Sequence, residues 1–237
     1  MSDRNKNPEH CGTASNACIL LLTKYPQKGV VKQRLARNLP EDKVIDLYGC
    51  FVLDSIETLK ASGIPFSICY YPSTKLGGFQ SWLGTNVTYI PQRGRDMGQR
   101  LRNAFSDAFN KEFEKVVAIG SDSPDLPVRI LVESSSALDG HDAVIGPSTD
   151  GGYYLIGFSR RAFLPDAFEG IHWSTSQVFE DTLSKLEGAG LKIHILQEWS
   201  DVDTMDDLSA LFQDLCEQSS FAQRTMRFIC ENKALLR

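Results

Sequence analysis

The amino-acid sequence predicts an α/β protein with a mostly parallel central sheet flanked by helices. Short apolar runs of strand length alternate with longer segments in which apolar residues recur at helical spacing. This alternation indicates parallel strands, because the helix after each strand returns the chain to the start of the next one. The length of 237 residues and the hydrophobic fraction of 42% suit one such domain. We therefore expect residues 17–237 to form a single domain, preceded by a flexible polar leader at 1–16.

The first half of the chain begins with an uninterrupted apolar run at 17–22. Such a run is typical of a central strand that is buried on both faces. A polar loop at 23–38 follows, and apolar residues from Val44 to Leu59 then recur at helical spacing until Gly63 ends the helix. The same patterns predict strands at 66–71, 87–90 and 115–119 and a helix at 101–109.

The second half continues the alternation of helices and strands. Ser174 with Gln177, and Thr204 with Asp207, match the pattern in which a hydroxyl residue caps a helix three positions before an acid or amide. Periodicity predicts helices at 127–138, 178–186 and 208–215, strands at 143–145, 153–156 and 193–196, and a helical tail to residue 237.

Charge and polarity exclude two classes of partner. The formal net charge is −5, and a general nucleic-acid binder needs a basic face, so we expect no nucleic-acid partner. The apolar run at 17–22 is far shorter than a membrane span, and residues 1–16 lack the apolar core of a signal peptide. We expect a cytoplasmic protein without a membrane partner. The sequence leaves the oligomeric state open, a homodimer included.

The cysteines show neither a Cys-x-x-Cys pair nor histidine neighbours at zinc spacing. Cys50 and Cys69 lie within apolar patterns. We expect the cysteines to be small buried hydrophobic residues in a reducing compartment rather than disulfide partners. The six positions are Cys11, Cys18, Cys50, Cys69, Cys216 and Cys230.

A basic loop follows the first predicted strand, and ligands of open parallel sheets bind beyond the carboxyl ends of the strands. Residues 23–37 contain five basic residues and no acid, in a chain that is acidic overall. Cationic side chains and backbone amides ahead of a helix form a natural phosphate site. The Gly-Lys-Ser/Thr ending of a Walker A loop is missing, and a solvated basic loop is the alternative.

A second basic segment, residues 92–100, follows the third predicted strand and begins a helix. Gly94 and Gly98 would permit a ligand to approach the backbone closely at the helix N-terminus. An ordinary strand-to-helix connection with exposed arginines explains the segment equally simply.

Three aspartates are candidate metal ligands. Asp122 follows the fourth predicted strand, and Asp201 and Asp203 follow the last one, so a parallel sheet could bring all three to one edge. Residues two apart in an extended segment point to one side, and carboxylates suit a Mg²⁺ ion that bridges a polyphosphate. In the competing interpretation Asp203 caps the following helix; Asp125 is the expected cap of the helix at 127–138.

A Gly-rich turn at 150–153 separates two predicted strands. It could let a substrate approach the backbone, or it could be a plain hairpin turn. His172 precedes a helix, where a lone histidine is more often structural than catalytic. The sequence contains neither a Gly-x-Ser-x-Gly elbow nor a Gly-x-Gly-x-x-Gly motif, which disfavours a nucleophilic triad and dinucleotide binding.

Taken in order, these segments resemble a known family of transferases. The motifs are Thr-Lys-x-Pro…Lys-x-Arg-Leu, Gln-x-Gly-x-x-x-Gly-x-Arg, Gly-Ser-Asp-Ser-Pro-Asp-Leu-Pro, Gly-Pro-x-x-Asp-Gly-Gly-Tyr-Tyr-Leu-Ile-Gly, Trp-Ser-Thr and Asp-Val-Asp-Thr-x-x-Asp-Leu. They look like the selenodomain-associated transferases of the GT-A superfamily. These are similar in turn to 2-phospho-lactate guanylyltransferase and molybdenum-cofactor guanylyltransferase. The resemblance covers residues 17–211.

The resemblance implies a GT-A fold, also called the nucleotide-diphospho-sugar transferase fold, that binds a nucleotide, a small-molecule acceptor and Mg²⁺ or Mn²⁺. The implied catalytic contacts with phosphate are Lys24, Lys32 and Arg34. The implied nucleotide-binding residues are Leu22, Thr23, Gln92, Gly94 and Gly98. The implied acceptor-binding residues are Asp150, Gly151, Gly152, Tyr153 and Trp173, and the implied metal ligands are Asp122, Asp201 and Asp203.

The sequence departs from the family pattern at Gln33, where the usual threonine would offer a hydroxyl to phosphate or metal. The leading hypothesis is nucleotidyl transfer from a nucleoside triphosphate to a small phosphorylated acceptor. A loop with five basic residues suits a triphosphate, and the Asp-Val-Asp-Thr motif matches guanylyltransferases. Glycosyl transfer from a nucleotide-diphospho-sugar is the alternative, since one fold hosts both chemistries. A non-catalytic nucleotide-binding module is the third hypothesis.

Overall fold

The computed structural model describes residues 16–217 and 222–233. The leader expected at 1–16 lies outside the described residues except for Asn16, and Cys11 lies outside them as well. The strands are β1 (Ala17–Lys24), β2 (Phe66–Tyr71), β3 (Thr88–Pro91), β4 (Lys115–Gly120), β5 (Ala143–Pro147), β6 (Tyr153–Ser159) and β7 (Ile193–Ile195). The helices are α1 (Glu41–Ser62), α2 (Leu76–Leu83), α3 (Met97–Phe109), α4 (Val128–Ala137), α5 (Val178–Gly188), α6 (Met205–Glu217) and α7 (Gln223–Glu231).

The seven strands form one sheet in the order β3-β2-β1-β4-β6-β5-β7. Strand β1 pairs in parallel with β2 and β4, β3 pairs in parallel with β2, and β7 pairs in parallel with β5. Strand β6 runs antiparallel to both of its neighbours. The predicted α/β fold with a mostly parallel sheet flanked by helices is confirmed.

The reversed direction of β6 follows from the Gly-rich turn. Only residues 148–152 connect β5 to β6, which is too short for the crossover that a parallel pair needs. The Ser148 N–H donates to the Gly152 carbonyl at 2.9 Å, and the Gly151 N–H donates to the Ser148 carbonyl at 3.0 Å. The hairpin interpretation of this turn is therefore the observed one.

Both faces of the central strand are buried, as the continuous apolar run predicts. Ile19 and Leu21 pack into the core on one face, together with α1, α4, α6 and α7. Cys18 and Leu20 pack into the core on the other face, together with α3 and α5. The sheet is therefore covered on both sides and presents its ligand-binding edge at the ends of the strands.

Helix α2 is missing from the sequence prediction. Its second and third residues are Gly77 and Gly78, which are poor helix formers and obscure the helical pattern. The helix is stabilised by packing rather than by local propensity, since Phe79 is fully buried against the rings of Tyr25 and Tyr70.

One of the two predicted caps is confirmed. The Thr204 Oγ1 accepts from the Asp207 N–H at 3.3 Å, and an Asp207 carboxylate oxygen accepts from the Thr204 N–H at 2.7 Å. The Ser174–Gln177 capping box is wrong, because α5 starts at Val178 without a side-chain cap and Ser174 has a left-handed φ of 66°.

The predicted cap at Asp125 is also wrong. Pro127 holds the N-cap position of α4, and no side chain makes a cap hydrogen bond there. The carboxyl group of Asp125 is instead half-buried, and burial raises its pKa.

The cysteine prediction holds in part. Cys18 and Cys69 are buried and Cys50 is half-buried, and the five described cysteines are all free. The prediction of burial fails for Cys216 and Cys230, which are exposed because their positions on α6 and α7 face solvent. Among the described helices, none combines the length and the apolar character that crossing a membrane requires.

Candidate functional site

A cavity of about 550 Å³ lies at the carboxyl ends of the parallel strands. The ends of β1 and β4, the segment that follows β3, the β5–β6 turn and residues 201–203 all contribute to its wall. This volume is within the usual range for a small-molecule site. The sequence predicts a ligand at this edge of the sheet, and the structure places most of the predicted residues there.

Thirteen of the sixteen residues named from the sequence line the cavity. They are Leu22, Thr23, Lys24, Lys32, Arg34, Gln92, Asp122, Asp150, Gly152, Tyr153, Trp173, Asp201 and Asp203. The other three, Gly94, Gly98 and Gly151, do not line it.

The centre of the site is an ionic cluster around Lys32. Its Nζ atom lies 2.5 Å from Asp122 Oδ1 and 2.8 Å from Asp203 Oδ1. The Lys32 side chain is 3% exposed, whereas the two carboxylates are 45% and 42% exposed. Burial alone would lower the pKa of the Lys32 ammonium, but the two charges outweigh burial and raise it. The same contact lowers the pKa of Asp203, although burial acts in the opposite direction.

Asp201 lies beside this cluster but faces other partners. Its carboxylate accepts a hydrogen bond from the Ser123 hydroxyl at 2.6 Å, and Ser148 lies 3.5 Å from the second oxygen. Burial, followed by the charge of Asp122, raises the pKa of Asp201 to about 6. Between Asp201 and Asp203, the Val202 N–H donates to the Asp122 carbonyl at 2.9 Å and fixes the backbone there.

The predicted trio of metal ligands does not form a three-carboxylate cluster. Within residues 16–217 and 222–233, no group of three or more His, Cys, Asp or Glu side chains is arranged to hold a metal ion. Asp122 and Asp203 converge on one cation, the Lys32 ammonium, while Asp201 bonds to serine hydroxyls. Two carboxylates, rather than three, therefore meet at one point.

The basic loop contributes further positive charge at the mouth of the cavity. Lys24 is exposed, and the Arg34 side chain is 64% exposed with its Nη1 3.9 Å from Asp203. Lys28 and Arg37 do not line the cavity. Three of the five cations of the loop therefore lie at the site.

Gln33 lies away from the cavity wall. Its amide donates to the Gly29 carbonyl at 2.7 Å, within the basic loop itself. Gln33, at the position where the resemblance implies a threonine, thus makes a contact within the loop.

The second basic segment is mainly an ordinary connection. Asp96 caps α3 by accepting from the Gln99 N–H at 2.8 Å, so a carboxylate already occupies that helix N-terminus. Arg93 pairs with Asp107 at 2.7 Å. Gln92 is buried and its amide donates to the Cys69 carbonyl at 2.6 Å. Of the segment, Gln92 and Met97 line the cavity.

Gly98 lies against the part of the cavity wall that contains Trp173. A Cβ atom there would overlap the Phe168 carbonyl and lie 3.0 Å from the Trp173 Nε1. Trp173 in turn contacts Tyr153 edge to face, with ring centroids 6.4 Å apart. The glycine therefore lets α3 support this wall of the cavity.

Tyr48 is a site residue that the sequence reasoning assigned only to the apolar face of a helix. Its buried hydroxyl accepts from the Lys24 N–H at 3.0 Å and lies 3.0 Å from Thr23 Oγ1 and 2.9 Å from Ser121 Oγ. Burial, and then the charge of Asp122, raises the pKa of Tyr48. A tyrosine on the buried face of a helix was the available signal, since a buried tyrosine hydroxyl needs a polar partner.

Comparison with known proteins identifies the family. A family model described as "Uncharacterized protein conserved in bacteria (DUF2064)" matches residues 53–175. The chain belongs to the DUF2064 family. A crystal structure from Desulfovibrio desulfuricans G20, described as a "putative nucleotide-diphospho-sugar transferase", is 39% identical to it. The match covers 94% of this chain and 97% of the Desulfovibrio chain, with a TM-score of 0.90, and confirms the predicted fold.

More distant structures share the fold of this DUF2064 protein. A nucleotidyl transferase from Methanothermobacter is 12% identical, with a TM-score of 0.60 over 85% of this chain and 98% of its own. A Mycobacterium tuberculosis H37Rv protein in complex with manganese is 15% identical, with a TM-score of 0.52 over 85% of this chain and 100% of its own. No curated protein matches the sequence. The finer assignment to the selenodomain-associated transferases stays a prediction.

Proposed function

We propose that this DUF2064 protein is a nucleotidyltransferase that uses a divalent metal ion, a nucleoside triphosphate and a small phosphorylated acceptor. The observation that supports it is the meeting of Asp122 and Asp203 with three loop cations in one cavity. Carboxylates for a metal beside cations for phosphate are what phosphoryl-type transfer requires, since its catalysis rests on positioning and charge stabilisation.

The residues present fit a divalent cation. Mg²⁺ in phosphate-transfer sites is usually held by one or two carboxylates together with substrate phosphates and water. Asp122 and Asp203 supply two half-exposed carboxylates that already converge on one positive charge. They would hold Mg²⁺ or Mn²⁺, which when bound neutralises charge on phosphate oxygens. The manganese complex of the Mycobacterium protein agrees with this choice of ion.

The remaining residues of the cavity have separate tasks in this proposal. Lys24 and Arg34, exposed at the mouth, bind the phosphate oxygens. An acceptor oxygen forms a bond to the α-phosphorus, and the bond to the bridging oxygen breaks, so that pyrophosphate leaves with the electron pair. The acceptor lies against the wall formed by Asp150, Tyr153 and Trp173. The protein itself provides no nucleophile.

Pyrophosphate release tests the proposal. The full-length protein is incubated with each ribonucleoside triphosphate, MgCl₂ and a panel of small phosphorylated acceptors. We expect metal-dependent release with one triphosphate, reduced about a hundredfold in Asp122→Asn. Asp139→Asn is the matched control, because Asp139 pairs with Lys115 at the opposite end of β4 and should leave the rate unchanged. Absence of release with every triphosphate across the panel contradicts the proposal.

Glycosyl transfer is the second candidate, and the description of the Desulfovibrio relative favours it. The same two carboxylates would then hold a metal on the diphosphate of a nucleotide-sugar donor. Release of a nucleoside diphosphate from such a donor, without pyrophosphate release from any triphosphate, would select this function.

A further inference from the structure

Lys32 is an unusual residue for its position. Its side chain is almost completely buried, and its Nζ lies 5.6 Å from the centroid of the Phe51 ring. Its backbone has φ 44°, in the left-handed region that residues with a Cβ rarely adopt. Such a conformation persists only where the surroundings impose it, and it is often found at functional sites. The fold therefore holds this ammonium between Asp122 and Asp203 against a local cost.

The contacts of Lys32 also determine whether a metal ion can bind between Asp122 and Asp203. One ammonium neutralises part of the charge of two carboxylates that would otherwise repel each other. A divalent cation held by Asp122 and Asp203 would need the same oxygen atoms. An ammonium and a metal ion at one point repel strongly in a partly desolvated site. The two cations therefore exclude each other.

We propose that Lys32 is a built-in counter-ion that occupies the place between Asp122 and Asp203 until a divalent metal ion replaces it. This inference rests on the proposed function only in assuming that the protein takes up such an ion. Displaced from the carboxylates, the Lys32 ammonium is free to bind a phosphate oxygen in the same cavity. Metal uptake and phosphate binding would then be coupled through one side chain, and metal binding in the absence of nucleotide would be weak.

Binding of Mn²⁺ alone, measured by electron paramagnetic resonance without nucleotide, tests the exchange. In Lys32→Met the metal no longer competes with two charge-assisted contacts, so we expect affinity to rise about ten- to hundredfold. Arg34→Met is the matched control, because it also removes one positive charge near Asp203. Since Arg34 is mostly exposed, we expect a change of less than about fivefold. Equal or weaker Mn²⁺ binding in Lys32→Met, or no Mn²⁺ binding by any variant, overturns the proposal.

A second measurement uses the unaltered protein, in case Lys32→Met does not fold. The buried Lys32 ammonium should give a slowly exchanging ¹⁵N-correlated signal, which we expect to disappear when diamagnetic Mg²⁺ is added. A signal that persists at saturating Mg²⁺ overturns the exchange. Both measurements omit nucleotide and acceptor. If nucleotidyl transfer is not found, both measurements still test the exchange of Lys32 for a metal ion. If transfer is found but no exchange occurs, only this inference is contradicted.

Discussion

At the scale of single residues, the site is organised by two side chains with different tasks. Lys32 joins the carboxylates of Asp122 and Asp203, and Tyr48 joins the ends of β1 and β4 through its hydroxyl. The sequence identifies Lys32 because it stands in a charged loop. The sequence does not identify Tyr48 as a site residue, because its ring fits the apolar face of α1. Apolar periodicity gives no information about the partners of its hydroxyl group.

Replacing Tyr48 by phenylalanine should destabilise the protein by about 1–3 kcal/mol, because the Lys24 N–H and the hydroxyls of Thr23 and Ser121 lose their common partner. Chemical denaturation measures the change in the free energy of unfolding. Tyr89→Phe is the control, since its hydroxyl donates to the Gly84 carbonyl at an exposed position and should cost less than about 1 kcal/mol. Equal losses in the two variants would contradict the role assigned to Tyr48.

At the scale of elements, the strands and most helices follow from apolar periodicity, whereas helix α2 and the direction of β6 do not. Helix α2 forms because Phe79 packs into the core, which local propensity cannot reveal. The reversal of β6 follows from the short turn at 148–152, so loop length was the available signal. The capping box at Ser174 fails because the chain there turns with a left-handed residue before α5 begins.

Two helical glycines at equivalent positions test how α3 supports the cavity. Gly98→Ala should destabilise the protein by about 1–3 kcal/mol, since its Cβ would overlap the Phe168 carbonyl and crowd Trp173. Gly77 is likewise the second residue of its helix, but a Cβ there meets nothing within 4 Å. Gly77→Ala should therefore stabilise by about 0.4–1 kcal/mol. Thermal and chemical denaturation of both variants measure the difference, and a Gly98→Ala variant as stable as the parent protein would refute the packing argument.

At the scale of the whole molecule, the order of strands brings distant segments to one edge. Lys32 and Asp203 are 171 positions apart in the chain, yet their side chains form a hydrogen bond of 2.8 Å. The sequence predicts this meeting because loops after parallel strands share an edge. It does not predict which acid faces the lysine, since the orientation of Asp201 toward Ser123 depends on side-chain geometry that no spacing rule contains.

The central claim is that this edge binds a nucleotide through a metal ion held by Asp122 and Asp203. The most direct measurement is the thermal unfolding midpoint with each nucleoside triphosphate and nucleotide-sugar, with and without Mg²⁺. A ligand that binds the folded state raises the midpoint, by the equivalent of about 2.7 kcal/mol at a hundred times its dissociation constant. We predict a metal-dependent rise with at least one nucleotide, which Asp122→Asn abolishes and Asp139→Asn retains. No rise with any nucleotide, or an equal rise in Asp122→Asn, would contradict the account.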